Sequence, residues 1–293
     1  WLYALVGLAG LAVVAVAGST DYGAKLKLNL GPVSIQPSEF IKIIFVFFCG
    51  AMLVKSTEFI HVVKMTIIAA LHVLILVISR DLGGALIFLI TYLAILYVAT
   101  RQLGLGSGAV ASVAAYFLFS HVRTRVIAWE NPLSVIDNEG YQISQSLFAI
   151  GTGGWFGSGL YQGMPQKIPV VTKDFVFAAI SEEMGGFFAL CLIFVCISCL
   201  LMFFNIAMQM KDLFYKLVAL GLATLYGTQV FLTLGGVTKF IPSTGVTLPL
   251  VSYGGSSLLA SMILFAIIQG LYVLHVNEGE LYEDNKKKQK RFN

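Results

Sequence analysis

Runs of about 20 apolar residues recur along the whole chain, and each is long enough to cross a hydrocarbon layer about 30 Å thick. Backbone groups inside lipid must form their hydrogen bonds within the protein, which leaves only helices or a closed barrel. The runs lack the alternation of barrel strands. Only 12% of the residues are charged, against about 25% in soluble domains. The sequence therefore predicts an all-α polytopic membrane protein.

The predicted membrane spans form one domain, residues 1–275, followed by a basic tail, 276–293. The eight spans cover residues 1–17, 38–54, 62–79, 84–100, 106–121, 175–204, 214–235 and 256–275. Residues 18–36 are expected to form a polar loop. The long segment 122–174 is rich in Gly, Pro and charge, and its middle part, 140–159, is expected to form re-entrant or interfacial elements.

The tail carries a cluster of cations, namely Lys286, Lys287, Lys288, Lys290 and Arg291. Such a cluster beside a last span is typical of a cytoplasmic anchor on anionic lipid. Alternation of the spans then places the segment 122–174 outside the cell, together with residues 18–36, 80–83 and 236–255. The chain begins inside an apolar run without Met, so we expect a fragment that lacks its amino-terminal part.

Several functions are disfavoured by what the sequence lacks. A nucleic-acid-binding protein would present a basic face on a folded domain, and none is visible. The sequence contains no P-loop, no nucleophile elbow and no zinc-protease helix motif. The cysteines all lie in apolar runs, so we interpret them as small buried side chains.

The informative residues of a membrane protein are the ionisable ones at or inside its spans, because each is costly there. Glu39 and Lys42 lie three apart at the start of the second span, where they can pair on one helix face. The pair caps a helix or forms a polar wall of a substrate cavity. Arg80 and Asp81 are either solvated turn residues, or Arg80 faces an anionic headgroup.

Two further groups lie along the segment 122–174. Arg123 and Arg125 suit phosphate recognition, whether by lipid headgroups or by a substrate. Asp174 precedes a long apolar helix, where it caps that helix or acts as a general base. Lys173 beside it is a candidate phosphate ligand.

Deeper in the same helix, Glu182 and Glu183 either pair with a basic residue across the bundle or line a polar path. The stretch 242–257 contains two prolines and three glycines, which prevent a regular helix. It is either a rigid surface loop or an anion site built from its amides and the following helix start. Its candidate ligands are Ser252, Gly254 and Gly255.

The motifs resemble those of the SEDS family (shape, elongation, division and sporulation), which includes FtsW, RodA and SpoVE. Five segments are similar to the family's motifs, in order and along the whole chain. They are residues 36–42 (QPSE-x-x-K), 79–83 (QPDLG), 140–159 (GYQ and the glycine run), 173–185 (TDFIFA-x-x-x-EELG) and 242–257 (ending SYGGSS). This chain departs from the family at Ser79, Arg80, Lys173 and Thr233, and at residues 25–27.

The resemblance implies a SEDS-type bundle of ten helices, of which this chain would carry about eight. It implies a peptidoglycan glycosyltransferase that polymerises lipid II at the extracytoplasmic face of the bacterial cytoplasmic membrane, beside a class B penicillin-binding transpeptidase. Asp174 falls on the family's essential aspartate. The expected substrates are lipid II and a glycan on undecaprenyl pyrophosphate, with no organic cofactor.

On this hypothesis Asp174 is the general base, and cations stabilise the leaving pyrophosphate. The candidates are Lys173, Arg123, Arg125 and Arg80, with a divalent cation (Mg or Mn) as a further candidate. Two alternatives remain open. The protein could be a lipid II flippase that uses Glu39, Lys42, Glu182 and Glu183, or a non-catalytic scaffold for the transpeptidase.

Overall fold

The computed structural model describes residues 1–21, 24–31, 33–101, 120–138 and 140–292. Within these ranges the chain is almost entirely helical. In chain order the helices are α1 (Leu2–Ala17), α2 (Pro37–Lys55), α3 (Phe59–Ile78), α4 (Leu82–Thr100), α5 (Ser120–Glu130), α6 (Tyr141–Gly153), α7 (Val176–Gln209), α8 (Leu213–Val237) and α9 (Gly255–Phe292). A single 3₁₀ turn, Pro165–Lys167, lies between α6 and α7.

Six of these helices are long and apolar enough to cross a membrane: α2, α3, α4, α7, α8 and residues Gly255–Asn277 of α9. They confirm the spans predicted between residues 38 and 100 and between 175 and 275. Helix α1 occupies the first predicted span and is apolar, but it has only 16 residues. The span predicted at 106–121 falls mainly on residues 102–119, outside the described residues.

Helix α8 lies at the centre of the bundle. In its most apolar stretch 78% of the residues are buried inside the protein, whereas the values for α3 and α7 are 22% and 17%. Apolar side chains on α8 therefore pack against other helices, chiefly α2, α4 and α7. Those on α3 and α7 mostly face outward, as expected of helices at a lipid boundary.

Residues 18–36, predicted as a polar loop, contain a small antiparallel sheet. Its strands are β1 (Ser19–Asp21), β2 (Ala24–Leu30) and β3 (Val33–Ile35), in that order. Ser19 pairs with Lys27, and Leu28 pairs with Ile35. The alternation of Leu and Lys or Asn in 25–30 is the period-two pattern of a strand, and the interpretation as a loop overlooked it.

The segment 122–174 contains most of α5, together with α6 and the 3₁₀ turn. Helix α6 lies within 140–159, the stretch expected to form re-entrant or interfacial elements. It packs closely on α7, since a Cβ on Gly153 would lie 2.1 Å from the Ser181 carbonyl oxygen. The Ser146 hydroxyl donates to the carbonyl of Val237 at the end of α8, 2.9 Å away. These contacts fix α6 against the central bundle.

Helix α7 is interrupted at Gly185, which has φ 83° and ψ 172°. The interruption pairs with residues 154–159, the loop after α6, through backbone bonds described below. Glu182, just before the break, is buried. Its Oε1 accepts from the Met164 amide at 3.1 Å, and its Oε2 has no hydrogen-bond partner within the described residues. The pairing of Glu182 with a base across the bundle is not seen in the described chain.

Candidate active site

A cavity of about 670 Å³ opens at one end of the bundle. The starts of α2 and α4, helix α5, the segment before α7 and the loop between α8 and α9 all contribute to its walls. Its ionisable lining side chains are Lys27, Glu39, Lys42, Arg80, Asp81, Arg125, Lys173 and Asp174. The fold thus brings together charged residues from three of the five motif segments, and the other two supply residues 141–143 and 243–247.

Lys42 lies in one wall of the cavity, and its side chain is buried. Its Nζ forms an ion pair with Glu39 Oε2 at 2.7 Å, as the spacing predicted. It also donates to Gln229 Oε1 at 2.7 Å. Gln229 in turn donates to the Thr247 carbonyl at 3.0 Å, and the Thr247 hydroxyl lies 2.7 Å from that of Ser257. A buried charge is tolerated when it is paired and hydrogen-bonded, as here.

The turn between α3 and α4 forms a second wall. Arg80 is exposed at the cavity edge with φ +64°. Asp81 caps α4, because its Oδ1 accepts from the Gly84 amide at 2.8 Å. Burial raises the pKa of Asp81 and nearby Glu39 adds to the rise, while the Gly84 amide, Lys42 and Arg125 oppose it. Asp81 is therefore part of the cavity and not merely a solvated turn residue.

Asp174 follows a turn closed by the bond from the Lys173 amide to the Val170 carbonyl, 2.9 Å. Two bonds from the loop after α8 brace this turn. The Ser252 hydroxyl donates to the Lys173 carbonyl, and the Tyr253 amide donates to the Thr172 carbonyl at 2.8 Å. Asp174 is not the N-cap residue of α7, because α7 begins at Val176 and Phe175 occupies the N-cap position.

Arg125 approaches Asp174 beside Gly245. A Cβ on Gly245 would lie 3.6 Å from Asp174 Oδ2 and 3.7 Å from Arg125 Nη1. Arg125 Nη1 also donates to the Ser243 carbonyl at 2.8 Å. Burial lowers the pKa of Arg125, while the carboxylates of Asp174 and Asp81 raise it. The guanidinium therefore lies within the field of both carboxylates.

The balance of charge in the cavity favours an anionic ligand. Its lining carries five cations, Lys27, Lys42, Arg80, Arg125 and Lys173, and three carboxylates, Glu39, Asp81 and Asp174. With all of them ionised the net charge is +2. Concentrated cations around a half-enclosed space attract anions and hold phosphate groups. Val170, at the cavity, has φ +58°, which is rare for a β-branched residue and typical of functional sites.

Six of the predicted site residues line this cavity, namely Glu39, Lys42, Arg80, Arg125, Lys173 and Asp174. Arg123 is exposed on α5 and does not line it. Ser252, Gly254 and Gly255 lie outside the lining as well. Ser252 contacts the backbone of the Asp174 turn instead, so the structure places it as a support of that turn. The roles predicted for all ten residues as ligands or base stay predictions.

Sequence reasoning missed three members of the site. Asp81 was interpreted only as a turn residue, since its burial depends on tertiary packing. Gln229 has a signal of its own, because an amide in the middle of an apolar run needs buried partners. Thr247 has no comparable signal, because a single threonine is an ordinary residue in an irregular loop.

A divalent cation fits this donor set only together with phosphate oxygens. Within the described ranges no three or more His, Cys, Asp or Glu side chains converge on one point. Mg²⁺ is commonly held by one or two carboxylates plus substrate phosphates. Asp81 and Asp174 both line the cavity and both act on Arg125. They are the residues that would share such an ion with a bound pyrophosphate.

The helical bundle with a charged cavity at one end defines a polytopic membrane protein. A family model described as "Cell cycle protein", covering FtsW, RodA and SpoVE, matches residues 1–275. The chain belongs to this family.

Relatives with established names support the assignment. Peptidoglycan glycosyltransferase RodA of Mycobacterium tuberculosis is 39% identical, over 90% of this chain and 62% of the relative. Stage V sporulation protein E of Bacillus subtilis is 34% identical, over 88% of this chain and 73% of the relative. The chain thus spans less than two thirds of the length of the mycobacterial relatives that it matches.

Solved structures share the fold. A chain from a peptidoglycan synthase complex, studied for its coordination of polymerization and crosslinking, matches with a TM-score of 0.77. It is 26% identical, over 94% of this chain and 80% of that chain. The rod shape determining protein RodA of Thermus thermophilus matches with a TM-score of 0.69, is also 26% identical, and is covered over 77% of its length. The all-helical SEDS fold is therefore confirmed.

Proposed function

We propose that this protein is a peptidoglycan glycosyltransferase that polymerises lipid II into glycan strands. The observation that carries the proposal is the position of Asp174 and Arg125 beside Gly245, in a cavity with more cations than carboxylates. A glycosyl transfer between lipid-linked sugars needs a base for the attacking hydroxyl and positive charge for the leaving pyrophosphate. The names of the relatives, peptidoglycan glycosyltransferases, support the same activity.

In the proposed reaction the GlcNAc 4-hydroxyl of lipid II attacks the anomeric carbon of the terminal MurNAc of the growing chain. The bond from that carbon to the pyrophosphate oxygen breaks with inversion. Asp174 accepts the hydroxyl proton. The turn bonds at Val170 and Ser252 hold Asp174 at the cavity wall, so the carboxylate is positioned before substrate binds.

Undecaprenyl pyrophosphate leaves with concentrated negative charge. Arg125, Lys173 and Arg80 line the same cavity and would stabilise it. The Arg125 guanidinium and the Asp174 carboxylate interact electrostatically, so a candidate pyrophosphate ligand lies close to the proposed base. A divalent cation between Asp81 or Asp174 and the phosphates would add Lewis-acid stabilisation of the same leaving group.

A lipid II flippase is the main alternative. Alternating-access transporters hold their sites near the middle of the membrane, at the interface of structural repeats. Here the charged cavity residues come from β2, the starts of α2 and α4, helix α5 and the segment before α7. This distribution supports an enzyme at a membrane surface. A purely structural scaffold has no evident use for a braced carboxylate beside an arginine.

We also infer that the cavity faces the outside of the cytoplasmic membrane and that the protein works with a class B penicillin-binding transpeptidase. The basic end of α9 supports the orientation through its position relative to the last span. Structural likeness to a chain of a peptidoglycan synthase complex supports the partner. Elongation, division and sporulation are each compatible with the family.

The test is polymerisation of fluorescent lipid II by the purified protein with its cognate transpeptidase and divalent cation. We expect wild type to give a ladder of glycan products and Asp174→Asn to give none, with unchanged elution and thermal transition. Asp212→Asn is the matched control, since Asp212 caps α8 far along the chain from the cavity segments. Ladders from Asp174→Asn would refute the base assignment, and none from wild type would favour the flippase.

A further inference from the structure

Residues 154–161, the loop after α6, carry an exposed group of large apolar side chains. Trp155, Phe156, Leu160 and Tyr161 are 61%, 86%, 63% and 93% exposed. Four exposed large apolar side chains within eight residues are a feature typical of an interaction site. They take no part in the cavity described above.

The backbone of this loop forms its hydrogen bonds with the broken part of α7. The amides of Ser158 and Gly159 donate to the carbonyls of Glu182 and Glu183, at 2.8 and 3.0 Å. In return the amides of Gly186 and Phe187 donate to the carbonyls of Gly154 and Trp155, at 2.8 and 3.2 Å. Irregular backbone is tolerated at membrane depth only where protein groups satisfy it.

Glycine is required on both sides of this contact. Gly157 and Gly185 have φ values of +81° and +83°. A Cβ on Gly157 would lie 2.2 Å from the Glu183 carbonyl oxygen, and one on Gly185 would lie 2.3 Å from the Gly157 nitrogen. The loop and the broken helix are therefore built as one rigid unit.

The length of α7 sets the depth of this unit. From Gly185 to Gln209 the helix rises about 36 Å at 1.5 Å per residue, and the polar pair Lys211–Asp212 follows its far end. A hydrocarbon layer about 30 Å thick therefore ends close to Gly185. Aromatic side chains are enriched at this level of a membrane.

The loop side chains continue the outward face of α7. Trp155 and Phe156 contact Phe187, with ring centroids 5.2 and 5.5 Å apart. Phe187 begins a row of exposed apolar residues with helical spacing that runs through Leu190 and Phe194. Only 17% of the most apolar stretch of α7 is buried, so most of this stretch lies at the surface of the described protein.

We propose that residues 154–161 form a membrane anchor that inserts its aromatic side chains into the acyl-chain boundary of the leaflet on the cavity side. The chain continues from this anchor through Met164, which is bonded to Glu182, to Asp174. The anchor thereby fixes the height of the cavity above the lipid. The proposal does not depend on the glycosyltransferase activity.

Tryptophan fluorescence tests the anchor in reconstituted vesicles. The chain has three tryptophans. In the double variant Trp1→Phe/Trp129→Phe, the tryptophan fluorescence therefore comes from Trp155 alone. Phosphatidylcholine brominated near the glycerol end of an acyl chain should quench Trp155 several-fold, and aqueous iodide should leave it almost unchanged. The control variant Trp1→Phe/Trp155→Phe reports Trp129, whose indole donates to the Lys239 carbonyl at 3.0 Å and should respond much less to the lipid.

Photolabelling of the unmodified protein gives a second measurement that needs no variant to fold. A phospholipid with an acyl-chain diazirine should label peptides covering 154–164 but not those covering 132–138, another exposed segment that joins α5 to α6. Quenching of Trp155 by iodide, with no lipid label, would show a solvated loop and overturn the proposal. Protection from iodide, bromolipid and label alike would show a protein partner instead, and would also overturn it.

Discussion

Lys42 and Gln229 are 187 residues apart in the chain, yet Lys42 Nζ donates to Gln229 Oε1 at 2.7 Å. This bond joins α2 to the central helix α8 at the base of the cavity. Gln229 also donates a hydrogen bond to the Thr247 carbonyl, in the loop between α8 and α9. Ser252 of the same loop donates to the Lys173 carbonyl in the turn before Asp174. The wall containing the Glu39–Lys42 ion pair and the segment carrying the proposed base are therefore mechanically linked.

Replacement of Lys42 by Met should destabilise the protein strongly. It leaves Glu39 and Gln229 without their partner in a buried site, and such a loss typically costs about 3–5 kcal/mol. We expect a clearly lower thermal transition in detergent, and partial recovery in the double variant Glu39→Gln/Lys42→Met. The control is Lys64→Met, because Lys64 is exposed on α3. Equal transitions for the two single variants would contradict the role of the pair.

Replacement of Ser252 by Ala should slow polymerisation while the protein stays folded. The change removes the donor to the Lys173 carbonyl and leaves the Leu248 amide, now bonded to the Ser252 hydroxyl at 2.8 Å, unpaired. An unsatisfied buried group costs about 1–3 kcal/mol, and we expect a rate loss of about tenfold or more. The loss should fall on kcat more than on KM, since Ser252 does not line the cavity.

Tyr253→Phe is the matched control for Ser252→Ala. The Tyr253 side chain is 77% exposed, and its bond to Thr172 comes from the backbone amide, which the variant keeps. We expect nearly wild-type rates. A comparable loss in both variants would show that the loop contacts substrate directly and does not act through the turn.

Replacement of Gly245 by Ala should impair activity more than stability. Gly245 has φ +73°, which costs an L-residue about 1–2 kcal/mol. The added methyl group would also contact Asp174 and Arg125, the two groups proposed to act on the reacting sugars. Lipid II polymerisation is the measurement. Gly151→Ala is the control, since nothing lies within 4 Å of its Cβ position; equal activities would refute the placement of the reaction beside Gly245.

The stability of the protein should depend on pH through Asp81. Burial raises its pKa in the folded state, so the folded protein binds more protons than the unfolded chain above the ordinary aspartate pKa of about 3.9. Stability from this group is then greatest at low pH and declines as pH rises through the folded pKa. Asp81→Asn should reduce the loss of thermal stability that accompanies a rise of pH above the ordinary aspartate pKa of about 3.9.

The Asp212→Asn variant should show the same dependence of thermal stability on pH as the wild type, since Asp212 caps α8 at an exposed position. If Asp81→Asn showed the same dependence of stability on pH as the wild type, a group other than Asp81 would be responsible for that dependence. The Asn side chain can still accept from the Gly84 amide, so the variant changes charge and keeps the helix cap.

Most of the bundle could be predicted because the cost of polar backbone in lipid makes an apolar run of sufficient length a helix. The Glu39–Lys42 pair was predictable for a similar reason, since its partners are local. The cavity could not be predicted, because Gln229, Asp81 and Thr247 acquire their roles only when distant segments of the chain come together in the fold. Motif resemblance located Asp174, whereas physics alone left it open as a helix cap.

The local character of the Glu39–Lys42 pair has a consequence for the biogenesis of the protein. The two side chains are one turn apart, so their charges can neutralise each other as soon as α2 is synthesised. Gln229 emerges from the ribosome much later, when most of the membrane helices already exist. Helix α2 can thus enter the bilayer without carrying an unpaired charge. When α8 is added later, Gln229 contributes a neutral hydrogen-bond partner to Lys42, whose charge Glu39 already balances.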